Sequence, residues 1–228
     1  MQKLIGRVRA AVEKYQLIEE GDKIAVGVSG GKDSLFLLCA LAELSRYYPK
    51  HFTVTAITAD PCFGGKETDF SAIKTLCDTL SVPYIIRKTN LGPLIFEERK
   101  EENPCSLCAR MRRGILHNLC VEEGFNKLAL GHHFDDAVQT FFMNLFYGGK
   151  LGCFSPKTYL SRKQITMIRP LIFCEEREIR NAAARMQLPI VKSECPFRVD
   201  SGRLFTQGVQ TVLQSRDHQS GMVVMRRS

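Results

Sequence analysis

The densest chemistry in the 228-residue chain lies in Ser29-Gly30-Gly31-Lys32-Asp33-Ser34. Residues 23–28 just upstream read as a short buried strand, and residues 35–47 downstream as a Leu- and Ala-rich helix stopped by Pro49. Strand, glycine-rich turn and helix N-terminus together make an anion site. Glycines let backbone N–H groups approach a phosphate, and the helix dipole adds roughly half a positive charge. Lys32 can add a point charge, and Ser29 and Ser34 can donate hydroxyl hydrogens. Asp33, set among phosphate oxygens, suits a contact to Mg²⁺ or a cap on its own helix. The spacing is neither that of a Walker loop nor that of GxGxxG. Asp60, at the end of the second strand, is a further candidate for nucleotide or metal, with turn capping as the competing role.

Two other segments carry reactive groups. Cys105 and Cys108 form a CxxC at a helix start, followed by Arg110, Arg112 and Arg113. The helix N-terminus and the arginines are expected to lower the thiol pKa values, and zinc, an iron–sulfur cluster and dithiol redox all use such a pair. Gly131-His132-His133-Phe134-Asp135-Asp136 ends the fourth strand and opens a helix. It brings imidazoles and carboxylates to the sheet edge that carries the phosphate loop. Either aspartate could serve as a helix cap, although two histidines and two acids exceed what capping needs.

The elements that must position these groups alternate strand and helix. A helix over 2–18 comes first; after the strand and helix around the loop come a strand over 52–59, a helix over 68–80 and a strand over 84–87. A helix over 110–123, a strand over 127–130, a helix over 135–146, a strand over 165–168 and a helix over 176–187 complete the pattern, with a weak helix near 204–214. This predicts an α/β fold, a doubly wound, mostly parallel sheet with helices on both faces and ligands beyond the carboxyl ends of the strands. At this length one domain over 1–228 is the expectation, with an N-terminal helix over about 1–20 and a basic segment over about 196–228. No apolar run approaches the roughly 20 residues of a membrane helix, and residues 1–20 lack a signal-peptide pattern, so a cytoplasmic, non-membrane protein is expected. Nine cysteines, an odd number without an export signal, argue against a disulfide framework. The net charge of +8 is uneven: 13 basic and 6 acidic residues fall in 151–228, as a polyanion-binding surface requires. Arg198, Arg203, Arg216, Arg226 and Arg227 with Phe197 and Phe205 could track phosphates and stack a base.

The motif SGGKDS resembles the signature of the PP-loop ATP pyrophosphatases, whose fold is adenine nucleotide alpha hydrolase-like. With PCSLCARMRRGIL, LALGHHFDDAVQTFFMNLFYGG and IRPLI, residues 22–196 resemble the tRNA 2-thiocytidine synthetases of that superfamily. The resemblance implies ATP and Mg²⁺ as cofactors, with ATP held by Ser29 to Ser34, Asp60 and Gly131. It implies adenylation of the C2 oxygen of a cytidine in tRNA, then replacement by sulfur, with Asp33, His132, Asp135 and Asp136 as catalytic candidates. It also implies a [4Fe–4S] cluster on Cys105, Cys108 and Cys195, with Cys174 as the fallback third ligand. A sulfur donor such as a cysteine desulfurase and a possible homodimer follow from the same resemblance. The competing readings are a lysidine synthetase-like ligase, a thiolase using Cys62 or another thiol as a persulfide relay, and a zinc-stabilised RNA-binding protein.

Overall fold

The computed structural model describes residues 2–98, 104–191 and 195. Helix α1 (Gln2–Lys14) leads into β1 (Asp22–Gly27), α2 (Lys32–Leu44), β2 (Phe52–Asp60), α3 (Ser71–Leu80) and β3 (Tyr84–Lys88). After the single turn α4 (Leu91–Pro93) come α5 (Pro104–Glu122), β4 (Lys127–Ala129), α6 (Phe134–Gly148), the hairpin β5 (Lys157–Leu160) and β6 (Ile165–Ile168), and α7 (Glu176–Arg185). The described chain divides into two compact units: one holds residues 2–137 and 155–195, and the other contains residues 138–154. In the second, the Asn144 side chain donates to the Gly152 carbonyl at 2.9 Å, and the Phe142 and Phe146 rings stack at 5.8 Å.

The first unit is built on a six-stranded sheet in the order β3-β2-β1-β4-β6-β5. β3, β2, β1, β4 and β6 run parallel, and β5 closes one edge antiparallel to β6. The expected α/β sheet with helices on both faces is therefore what forms. Side chains of a strand alternate between faces. Ile24 and Val26 of β1 enter one hydrophobic cluster with Val8 of α1, Leu38 of α2 and Ile179 of α7. Ala25, between them, enters a second cluster with Leu128 of β4 and with Leu119 and Cys120 of α5. Helices α1, α2 and α7 thus cover one face and α5 the other.

The chain moves outward through β2 and β3 on one side of β1, and through β4 and β6 on the other. β1 and β4 are neighbours at this change of direction, where open α/β sheets bind ligands. β5 was not expected from sequence. Its turn carries no glycine, and Gln164 takes the left-handed conformation there, with φ 51°. The expected helix near 204–214, and the arginines and phenylalanines beyond residue 196, lie outside the described residues.

At the amino ends of β1 and β4, the ammonium of Lys127 lies 2.6 Å from Asp22, and both side chains are 3% exposed. Asn126 donates to the other Asp22 oxygen at 2.7 Å. Removing one member of a buried pair strands the other charge in the interior, so Lys127→Ala is expected to cost about 3–5 kcal/mol in urea unfolding. A loss below about 1 kcal/mol shows that the pair does not fasten these strands.

Candidate active site

The crevice beyond β1 and β4 holds a cavity of about 480 Å³. Ser29, Asp33 and Ser34 of the loop and helix after β1 line it, as do Leu130, Gly131 and His132 after β4. Ala109, Arg112, Arg113 and Leu116 of α5 line it as well. Their spacing puts those four on one helix face.

The loop between β1 and α2 keeps its shape through serine hydroxyls. Ser34 Oγ accepts the Ser29 N–H at 3.1 Å and donates to the Gly31 carbonyl at 2.9 Å. Gly30 takes φ +83°, its carbonyl accepts the Val191 N–H at 3.0 Å, and an added Cβ would meet Val191 Cβ at 3.1 Å. No side chain caps α2, whose N-cap is Gly31. The first N–H groups of a helix have no intrahelical partner, so these are left for an anion. Ser34 lines the cavity, but its hydroxyl serves first as a brace of the loop.

Charged groups gather around the first turn of α2. The Lys32 ammonium lies 3.0 Å from Asp33 Oδ2 and 3.1 Å from Glu176 Oε1 of α7. Partial burial works to lower the Lys32 pKa, but the two carboxylates outweigh it and hold it above the ordinary value. Burial likewise raises the Glu176 carboxyl, and hydrogen bonds from Lys32 and Arg180 bring it below the ordinary range. Asp33 Oδ1 is buried without a hydrogen-bond partner, and His133 Nε2 stands 3.8 Å away. A buried, unpaired carboxylate oxygen among phosphate-binding groups is a suitable ligand for Mg²⁺.

The GHHFDD segment divides its labour. Gly131 lies against the first turn of α2, where an added Cβ would sit 3.1 Å from the backbone of Asp33 and Ser34. His132 lines the cavity; burial and the charges of Arg169 and Arg113 hold its pKa below the ordinary value, against Asp136. His133 and Asp136 cap α6: the Asp136 carboxylate accepts the His133 N–H at 2.9 Å, and His133 Nδ1 faces the Asp136 N–H at 3.4 Å. Asp135 accepts the Glu176 N–H at 2.7 Å and so fixes the start of α7. Asp60 is not among the residues that line the cavity. Its two oxygens accept from the Cys62 N–H at 3.1 Å, the Thr68 hydroxyl at 2.9 Å and the Thr68 N–H at 2.9 Å, so the turn after β2 consumes them.

The cysteine pair occupies the first turn of α5, whose Pro104 start suits the missing N–H of proline. Cys195 packs against the cluster of Phe63, Leu91, Ile95 and Cys108. The Cys108 thiol is pushed up by burial, which outweighs the pull of Arg112, and negative charge on Cys195 or Cys105 would push it further. The expected lowering at this position is therefore reversed: a half-buried helix start desolvates the thiolate more than one arginine repays. Of the three cysteines predicted as a set, Cys108 and Cys195 share this apolar cluster, and Cys105 is exposed one turn from Cys108. Cys174, the fallback, is buried in the cluster on the other face of the sheet, its thiol pushed up to about 12 by burial. Sequence reading passed over Glu176, Ala109 and Leu116, and it valued Arg112 and Arg113 only for their effect on thiols. The spacing of the α5 residues was visible, but nothing local says which face meets a cavity.

Residues 3–195 match the family model of the PP-loop domain. The chain belongs to the PP-loop family. It is 40% identical to the tRNA-cytidine(32) 2-sulfurtransferase of Syntrophotalea carbinolica over 86% of this chain and 74% of that one. It is 37% identical to the enzyme of the same name from Actinobacillus pleuropneumoniae, over 96% of this chain and 68% of that one. Among solved structures it resembles the U34-tRNA thiolase NcsA of Methanococcus maripaludis, described with its [4Fe-4S] cluster. That likeness has a TM-score of 0.73 at 29% identity and covers 94% of this chain and 72% of that one. These relatives bear out the resemblance to tRNA 2-thiocytidine synthetases.

The donor set fits such a cluster. Among the described residues no three His, Cys, Asp or Glu side chains converge on a point as ligands of a single ion. A multi-iron cluster takes one thiolate per iron, so its cysteines surround it instead of meeting. Cys108 and Cys195 in a partly apolar cluster, with Cys105 on the same helix turn as Cys108, are soft donors of the kind iron–sulfur chemistry uses.

The PP-loop geometry leaves no room at Gly131. Gly131→Ala is expected to displace the first turn of α2 and weaken binding of MgATP about tenfold, read by calorimetry with the fold checked by circular dichroism. An unchanged affinity would show that the contact does not shape the loop.

Proposed function

We propose that this PP-loop protein is an ATP-dependent tRNA thiolase that replaces the C2 oxygen of a cytidine with sulfur. The observation that carries the reading is the continuity of α5. Its first turn bears Cys105 and Cys108, the latter packed in one cluster with Cys195, and its next turns line the cavity beside the phosphate loop. One rigid helix thereby joins a sulfur-handling site to a nucleotide site. The names of the relatives point the same way.

The chemical difficulty is a poor leaving group on a weakly electrophilic carbon. Attack of the C2 oxygen on the α-phosphate of ATP breaks the α–β bond and releases pyrophosphate. The oxygen then departs as part of AMP when a sulfur nucleophile adds at C2. Positioning and charge stabilisation supply most of the catalysis. In this reading Ser29, the amides of Gly30 and Gly31, and Lys32 hold the polyphosphate, with Ser34 bracing the loop. Asp33 presents its unpaired oxygen to Mg²⁺. His132, kept neutral by its surroundings, orients the base by hydrogen bonding. Asp135 and Asp136 act on catalysis by fixing α7 and His133, and Gly131 admits the loop to close contact. Asp60 acts at one remove, by holding the turn after β2. Cys105, Cys108 and Cys195 hold the [4Fe–4S] cluster. When bound, a cluster with only three protein ligands supplies an iron at which sulfur can be held for transfer.

The tRNA is the macromolecular substrate, met in part by the basic segment beyond residue 196. A cysteine desulfurase-type donor supplies the sulfur, and a homodimer would extend the RNA-binding surface. A cytoplasmic location and a single domain over 1–228 belong to the same reading. No helix among the described residues is long and apolar enough to cross a membrane.

The test begins with anaerobic reconstitution, an absorbance spectrum, and iron and sulfide assays. Iron absent after full reconstitution would sink the cluster. Cys105→Ala and Cys108→Ala are expected to abolish 2-thiocytidine formation, measured by nucleoside mass spectrometry, while MgATP still binds. Cys174→Ala is expected to retain iron. Full thiolation by the CxxC variants would instead favour a thiolase that uses Cys62 or another thiol as a persulfide relay.

A further inference from the structure

Lys32 is attached to α7 as well as to its own helix. Glu176 Oε1 receives both the Lys32 ammonium at 3.1 Å and the Arg180 guanidinium at 3.1 Å, while the Glu176 N–H is fixed on Asp135. The Lys32 ammonium also meets Asp33 Oδ2, Asp33 Oδ1 faces His133, and His133 Nδ1 stands 3.6 Å from Asp135. Glu176 therefore reaches α2 through its carboxylate and the first turn of α6 through its backbone N–H. The capping of α7 does not need the Glu176 side chain, because Glu175 and Glu178 form its capping box.

We propose that Glu176 is a positioning residue for the phosphate loop, holding the Lys32 ammonium at the start of α2 ready for a bound polyphosphate. This deepens the nucleotide reading and rests on it. An ammonium has three donors. Asp33 and Glu176 take two, which leaves one for phosphate. A free lysine loses much rotamer freedom when it engages a ligand, and one already held loses less, so the loop gains affinity without a contact of its own from Glu176. Arg180 offsets the second negative charge beside the nucleotide. Lys32 and Glu176 side chains are 24% and 34% exposed, sheltered enough for the pair to hold and open enough for a phosphate to reach.

The test is a double-mutant cycle on the full chain, read by calorimetry with MgATP. Glu176→Ala is expected to weaken binding about tenfold, the scale of a charge-assisted hydrogen bond. It should also raise KM for ATP in thiolation with little change in kcat, and Glu176→Gln, which keeps an acceptor, should recover part of the loss. In the Lys32→Ala background the Glu176→Ala loss is expected to vanish. An undiminished loss there assigns Glu176 a structural role in α7 and overturns the proposal. Unchanged or tighter binding by Glu176→Ala alone overturns it too, the tighter result meaning that Glu176 masks Lys32. Absence of MgATP binding by the unmodified protein overturns the nucleotide reading beneath it.

Discussion

A site that binds phosphate with backbone amides must leave those amides without partners, and something else must then hold the loop that carries them. The surroundings of α2 meet that requirement. No side chain caps the helix, so its first N–H groups stay open. The shape comes from Ser34 bonded across the loop, from the Gly30 carbonyl bonded to Val191, and from Gly131 pressed on the first turn of α2. Each of these contacts holds the loop without using the first N–H groups of α2.

Two chemistries share α5. The thiols sit where the helix begins, and the arginines and small apolar residues of the next turns face the cavity. An α-helix bends little over three turns, so the separation between the thiols and the cavity is set by the helix and not by a loop. Burial pushes the Cys108 thiol above its ordinary pKa. Lys32 and Glu176, each partly buried, are instead held in their charged forms by pairing with oppositely charged neighbours.

Local patterns were legible in the sequence, and distant partnerships were not. The apolar run before Ser29 and the glycines after it announce strand, turn and helix, and all three form where expected. The CxxC stands at a helix start, six residues ahead of the expected one, because Pro104 opens the first turn. Asp60 reads as a possible ligand until Thr68, expected in a helix, takes its oxygens with both hydroxyl and amide; the helix then begins at Ser71. The hairpin before β6 escaped notice because Gln164 adopts a turn conformation usually signalled by glycine. Glu176 is unremarkable in its own segment, since its meaning comes from Lys32, which only folding brings near.

The alternation of β1 between two hydrophobic clusters bears on how such a chain can diverge. Ile24 and Val26 belong to one side of the sheet and Ala25 to the other, and the strand runs directly into the phosphate loop. Inserting or deleting one residue here would exchange the two cores and also rotate the loop away from Gly131. Length changes in this strand are thus barred twice over, by packing and by chemistry. Variation in which RNA is recognised must come from segments that no strand register controls.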